Sequence, residues 1–350
     1  MLCAATVSKR HGRFAVQAWA PRPAAGERAI TVDQTNESVI VGDAAVVKWA
    51  THLQEGPHPA PGRIAVLRAA GFRGMPSPWG LVTWEPPGGA ETLVVSVDEY
   101  LPGAVDGWTW AVDLVTEAAR APVARPAPMV AAVAEVAGVI AELHSALAGT
   151  ATIASASDSR RWRDSALTTL EQACALSDSP TKTLLLQRRA EVEEILAGLG
   201  GLAGNPVIDG HGDLHVGQVL CSAGRLVVTD FDGNPVLPAS QRALPIPACL
   251  DIAGMTQSLT HVAIVAHRHA DLDEDALAEA DRAARAAFLQ SYAQRLAGLG
   301  HADLYDPAPL RAFRLQQVLR EIIYAARHLP RWMYVPDAAL PALLDERSPT

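Results

Sequence analysis

The chain has 350 residues, 49% of them hydrophobic, which is enough for one large domain or two lobes around a cleft, with a sizeable core. Its formal net charge of -9 gives no electrostatic reason to bind nucleic acid or anionic lipid, so a small diffusing substrate is the easier partner. The cysteines, Cys3, Cys174, Cys221 and Cys249, are far apart and form no C-x-x-C pair, which argues against a zinc knuckle or disulfide framework and for a reducing, cytoplasmic setting.

From the N-terminus, MLCAATVSKRHGR turns polar before an apolar signal core could form. Residues 13–32 predict a few short strands interrupted by a Pro/Ala-rich turn. Residues 38–41 and 44–48 predict two strands joined by a tight turn at Gly42-Asp43. A short helix is expected over 63–70 and another strand over 92–97. After Pro102-Gly103 the character changes to long Ala/Leu-rich segments. Apolar residues at helical spacing predict helices over 129–148, 161–176, 181–199, 251–267, 273–299 and 309–328. The apolar stretch 129–154 carries Glu135, Glu142 and His144, which suits a buried or amphipathic helix better than a membrane span. Residues 206–234 form an exception within the helical part, reading strand, polar loop, strand, loop.

That exception carries the chemistry. His211-Gly212-Asp213-Leu214-His215-Val216-Gly217-Gln218 is followed by Leu226-Val227-Val228-Thr229-Asp230-Phe231-Asp232-Gly233. Phosphoryl transfer needs a carboxylate to orient the attacking hydroxyl and oxygen ligands that hold Mg2+ against the phosphates. Asp213 then serves as base, Gln218 and Asp230 as magnesium ligands, and Asp232 contacts a second ion or orders the loop. His211 reads as structural, and His215 as either structural or substrate-contacting. Two β-turns using Asp as turn residues are the bland alternative. A rival of another class treats His211, Asp213, His215, Asp230 and Asp232 as ligands of a two-metal hydrolase. His261, His267 and His269 could join it, although histidines on an exposed helix usually face water. The rival leaves Lys48 and the β-rich start unexplained.

Lys48 closes an apolar strand, where a kinase lysine reaches the α- and β-phosphates of ATP. The preceding loop, residues 34–38, lacks G-x-G-x-x-G, so its grip falls to backbone N–H groups and the Thr35 and Ser38 hydroxyls. In the hinge-like segment 97–103, the Glu99 C=O and Leu101 N–H are placed to meet adenine. Lys48 has no evident carboxylate partner, since nearby Glu55 reads as a surface-loop residue. The set Lys48, Asp213, Gln218 and Asp230 argues against a catalytically dead scaffold. The expected fold is α+β, bilobal and protein-kinase-like. Residues 1–102 form a nucleotide-binding N-lobe with a short β cap, and 103–350 a helical C-lobe with the catalytic loop and acceptor site.

The HGD-x-H-x-x-Q-V-L and D-F-D-G-x-P elements resemble those of actinobacterial maltokinases, a branch of the aminoglycoside-phosphotransferase-like kinases. Asp33-Gln34-Thr35-Asn36, Asp106-Gly107-Trp108, Ala141-Glu142-Leu143-His144 and Asp251-Ile252-Ala253-Gly254-Met255 extend the likeness over about residues 33–340. Gln218 stands where the wider pattern has Asn, as in the maltokinase branch. The short N-terminal cap and the tail, Gln317-Val318-Leu319-Arg320-Glu321 with residues 324–332, are similar to those of the related glucosamine kinases. That resemblance implies phosphorylation of D-glucosamine at O6, with ATP as co-substrate and Mg2+ as cofactor. Maltose and aminoglycosides are the alternative acceptors, and a monomer with no nucleic-acid or membrane partner is expected. Read without the family, Gln317, Arg320, Glu321 and Tyr324 share one helical stripe. Trp332 and Tyr334 add flat apolar surface suited to sugar C–H faces. Glu321, on that stripe, is the candidate reader of the C2 ammonium, with Gln317, Trp332 and His215 beside it in the acceptor set.

Overall fold

The computed structural model describes residues 8–19, 25–30, 37–51, 53, 56–121 and 127–346; Cys3, the segment 33–36 with Thr35, and Glu55 lie outside them. The chain separates into two compact units. The first contains residues 1–106, 211–213 and 218–245, and the second 107–210, 214–217 and 246–350.

In the first unit the described residues form a seven-stranded antiparallel sheet. In chain order its strands are β1 (Lys9–His11), β2 (Phe14–Ala18), β3 (Glu27–Ala29), β4 (Glu37–Val41), β5 (Ala45–Trp49), β6 (Pro78–Trp84) and β7 (Thr92–Glu99), and the spatial order is β1-β2-β6-β7-β5-β4-β3. The expected β4–β5 hairpin forms because Gly42 (φ 57°) and Asp43 (φ 47°) both adopt positive φ, and the Ala44 N–H closes the turn on the Val41 C=O at 3.1 Å. That mirror-image turn matches the twist of the strands it joins. Burial alternates along both strands, so one face packs Ala45 and Val47 against Trp79, Val95 and Val97. The opposite face carries a polar row, Ser38–Lys48–Ser96, fixed by the pairing register. Helix α1 (Pro59–Ala69) follows β5, begins on the prolines expected of a first turn and is N-capped by His58. The segments returning from residue 218 onward supply a two-stranded hairpin and the one-turn helix at 239–242.

The second unit is helical, with α2 (Gly107–Arg120), α3 (Ala127–Leu147), α4 (Ala156–Cys174), α5 (Pro180–Gln187) and α6 (Arg189–Ala197); β8 (Thr152–Ile153), between α3 and α4, pairs antiparallel with β9 (Pro206–Val207), which follows α6. In the first unit, β10 (Val219–Ser222) and β11 (Arg225–Val228) then form a hairpin, and α7 (Ala239–Arg242) follows. The remaining helices, α8 (Ala248–His269), α9 (Glu274–Gly298), α10 (Leu310–His328) and α11 (Tyr334–Asp345), complete the second unit. The single helix expected over 181–199 is two. Arg188 leaves helical geometry (φ -106°, ψ 19°), and its guanidinium reaches Glu191 and the Leu344 C=O. Helix α2, strand β6 and helix α11 were not apparent from periodicity. Among the described residues two helices, Pro128–Thr150 and Ala248–His269, are long and apolar enough to cross a membrane by length and composition. In the second, 83% of the apolar window is buried inside the protein, which is how a core helix behaves.

Candidate active site

The first unit brings Lys48, Asp230, Asp232 and Gln218 together. The Lys48 Nζ donates to Asp230 Oδ1 at 2.9 Å and to Asp232 Oδ2 at 3.1 Å. Burial alone pushes the ammonium pKa down, but Asp232 and Asp230 outweigh it and hold Lys48 above the ordinary lysine value. Burial likewise pushes Asp230 up, and the Lys48 charge outweighs it, leaving that carboxyl below the usual range. The partner that Lys48 lacked in the sequence is therefore the D-F-D loop itself, 182 residues away.

Asp230 sits at φ 66°, a left-handed conformation that a non-glycine residue adopts only when its surroundings hold it there. The Gln218 Nε2–H points to Asp230 Oδ2 at 3.5 Å, which places the amide, with its oxygen, beside that carboxylate. An amide oxygen and two carboxylates are hard oxygen donors, which fit Mg2+, an ion that needs only one or two protein carboxylates beside water and phosphate. They do not fit a two-metal hydrolase. Among the described residues no group of three or more His, Cys, Asp or Glu side chains could hold a metal ion. His211 spends both ring nitrogens on the backbone: Nε2–H donates to the Thr229 C=O at 2.9 Å, and Nδ1 accepts the Asp213 N–H at 3.3 Å. It is structural, and it ties the loop carrying Asp213 to the strand end before Asp230.

Ser38 is buried and pairs in register with Lys48, on the same face. Two residues along β7 from Ser96, Asp98 shares that face, and burial pushes its carboxyl up to about 7 against the opposing pull of Ser96 and Lys48. Glu99 ends β7. Burial raises its carboxyl, but the Ser77 N–H (3.0 Å) and Arg225 (3.1 Å) outweigh this and keep it ionised. Leu101, two residues on, is buried.

The second unit assembles the remaining predicted residues. The Trp108 ring lies 6.3 Å from His215 and 5.8 Å, edge-on, from Trp332, which in turn meets Tyr334 at 5.9 Å. Gly217 makes this approach possible, since a Cβ there would fall 2.6 Å from Trp108 Nε1 and 2.8 Å from the His215 ring. On α10, Gln317 Nε2 donates to Glu321 Oε1 at 3.1 Å, while Tyr324, further along the same stripe, is exposed.

Behind Glu321 stands His261. His261 was expected to face water, but α8 is apolar around most of its circumference and His261 is 2% exposed. Burial, reinforced by the charges of Arg314 and His215, pushes it down to about 3, so it is neutral. Its tautomer follows from its neighbours. Arg314 Nε can only donate, and it does so to Gln257 Oε1 at 3.1 Å, which turns the Gln257 amide nitrogen to His261 Nε2 at 3.0 Å. Nε2 therefore accepts, and the hydrogen sits on Nδ1, 3.3 Å from Glu321 Oε2. The signal was present as Gln257 and His261 at i,i+4 on a helix otherwise apolar.

The other motif residues also support loops. His144 joins Tyr292 (2.7 Å) and Asp251 (3.3 Å) in a fully buried set. A Cβ on Gly210 would lie 2.8 Å from Asp251 Oδ2, and one on Gly254 would lie 2.4 Å from the Leu214 C=O.

No family model matches the chain. The fold is kinase-like: an aminoglycoside phosphotransferase in ternary complex with AMP-PNP and hygromycin B aligns with a TM-score of 0.50 at 14% identity, covering 93% of this chain and 95% of that one. At that identity the likeness speaks to the fold alone. A solved glucosamine kinase in complex with glucosamine, ADP and inorganic phosphate aligns with a TM-score of 0.88 at 43% identity, covering 98% of this chain and 82% of that one. The glucosamine kinase of Mycolicibacterium smegmatis is 66% identical over 341 residues, which is 97% of this chain and 85% of the relative. The chain belongs to the glucosamine kinase family.

Proposed function

We propose that this protein transfers the γ-phosphoryl group of ATP to O6 of D-glucosamine, giving glucosamine 6-phosphate and ADP in the cytoplasm, as a monomer. The observation that carries the reading is the Lys48–Asp230–Asp232 set, hydrogen-bonded in a chain that is 66% identical to a glucosamine kinase. Asp213 orients the 6-hydroxyl and accepts its proton as the P–O bond to the sugar forms and the bond to ADP breaks. Lys48 contacts the α- and β-phosphates, the Ser38 hydroxyl and neighbouring backbone cover them, and the Glu99 C=O and Leu101 N–H receive adenine. Gln218 and Asp230 would hold Mg2+, with Asp232 contacting a second ion or ordering the loop. Bound there, the ion neutralises charge on the phosphates. In the second unit, Glu321 accepts from the C2 ammonium and Gln317 fixes its carboxylate. Trp332 and His215 line the sugar.

The test is a coupled assay of ADP release against glucosamine, N-acetylglucosamine, glucose, maltose and kanamycin, with Mg2+ varied. Glucosamine is expected to give the highest kcat/KM, with no turnover after chelation. A better rate on maltose or kanamycin would overturn the acceptor, and ATP-independent hydrolysis would overturn the class.

A further inference from the structure

We propose that Arg63 is the positioning residue that sets the Asp213 loop against the Asp230–Asp232 loop, in the place where protein kinases use a helix carboxylate. In protein kinases the strand lysine pairs with a glutamate on the helix that follows. Helix α1 contains no acidic residue, and Lys48 is engaged by Asp230 and Asp232 instead. What α1 sends inward is Arg63, 3% exposed.

Its guanidinium hydrogen-bonds the main chain at three separate points. Nη1 donates to the His211 C=O at 2.9 Å and to the Phe231 C=O at 2.9 Å, and Nη2 donates to the Arg242 C=O at 3.0 Å. The first carbonyl lies two residues before Asp213, the second between Asp230 and Asp232, and the third closes α7. Both loops make room for it. Gly212 (φ 82°) and Gly233 (φ 72°) flank the guanidinium, and a Cβ on Gly233 would lie 3.2 Å from Nη1. Because the acceptors are carbonyls, Arg63 fixes the path of the backbone, and the catalytic side chains inherit their spacing from it. A planar fork with donors on separate nitrogens can span these carbonyls, whereas a lysine ammonium is a single point on a flexible stem.

The consequence rests on the phosphotransfer reading above: the base and the metal ligands keep one mutual geometry only while Arg63 joins their loops. A displacement of about 1 Å at such a site can cost roughly 10²-fold in rate. The carbonyls that Arg63 holds belong to the Asp213 loop, the Asp230–Asp232 loop and the end of α7, so its loss should fall on kcat and on the binding of Mg2+ and Mg2+–ADP, with the glucosamine KM little changed.

Arg63→Ala and Arg63→Lys would be compared with wild type in steady-state assays with Mg2+ varied, in calorimetric titration of Mg2+–ADP, and in thermal melting. For Arg63→Ala, kcat is expected to fall about 10²-fold and the apparent Mg2+ activation constant to rise about tenfold, with glucosamine KM within about threefold. Methylguanidinium added to Arg63→Ala should restore part of kcat, and Mg2+–ADP should bind more weakly to both variants. Arg63→Lys, which keeps charge and stem, decides the matter if the alanine variant does not fold. Wild-type kcat and Mg2+ dependence in Arg63→Lys would overturn the proposal. So would activity that falls only in step with the folded fraction, at an unchanged Mg2+ constant. Wild type inactive on glucosamine would sink the substrate reading instead, and the Mg2+–ADP titrations would still decide the role of Arg63.

Discussion

Glu321 accepts on Oε1 from Gln317 Nε2, and its Oε2 lies 3.3 Å from Nδ1 of neutral His261. The Gln317 contact orients the carboxylate, which suits the proposed reader of an ammonium. Charge-assisted hydrogen bonds contribute roughly 1.5–3 kcal/mol, on the order of ten- to a hundredfold in selectivity. Glu321→Gln is therefore expected to narrow the preference for glucosamine over glucose by about that factor, chiefly through a higher glucosamine KM. Unchanged discrimination in parallel kcat/KM measurements would leave Glu321 a structural helix residue. Asp213→Asn tests the base: turnover should drop about 10²–10⁴-fold while calorimetry still detects nucleotide binding. Near-normal turnover would remove Asp213 from that role. The clustering of Gln218, Asp230 and Asp232 was legible because the phosphotransfer reading calls for an amide and carboxylates at short spacing. Lys48's partners and His261's burial were not, because each depends on contacts made far along the chain.

At the scale of single elements, the register of β5 on β7 has a pH consequence. It puts Asp98 on the Lys48 face, where burial holds its carboxyl up at about 7. In the unfolded chain the same group titrates near the ordinary carboxylate value of about 4. Between those values the folded protein binds the extra proton, so its stabilising share is complete at low pH, is lost as pH rises through about 7, and stays lost above. Asp98→Asn should flatten this part of the profile, raising the melting temperature at pH 8 relative to pH 5 by the equivalent of a few kcal/mol at most, about 1.4 kcal/mol per pH unit of window. Identical wild-type and variant profiles would show that Asp98 is ionised throughout. Legibility at this scale followed periodicity. The β4–β5 hairpin announced itself through Gly42-Asp43, and α8, α9 and α10 through apolar spacing. The break at Arg188 did not, because it is stabilised by side-chain contacts with α11 residues near position 344 rather than by a Gly or Pro in the local sequence.

For the whole molecule, a β-rich start followed by long helices is visible in composition alone. What composition does not reveal is that the first unit is discontinuous, taking back residues 211–213 and 218–245 after the mainly helical stretch 107–210. Nucleotide binding should register there: if Mg2+–ADP binds only the folded protein, ligand at about a hundred times its Kd adds roughly 2.7 kcal/mol of stability. A melting temperature that does not move with Mg2+–ADP would contradict the assignment of the Lys48 set to the nucleotide. The discontinuity also dictates an order of events during synthesis. When residue 106 leaves the ribosome the seven-stranded sheet has all its strands, yet the three carbonyls that Arg63 needs have not been translated. A nascent sheet must wait, with a guanidinium destined for burial still in water, until residue 242 emerges. A fragment of residues 1–106 is accordingly expected to show no cooperative unfolding and fast amide exchange, so the sheet at the start of this enzyme cannot mature ahead of the segment that ends at residue 242.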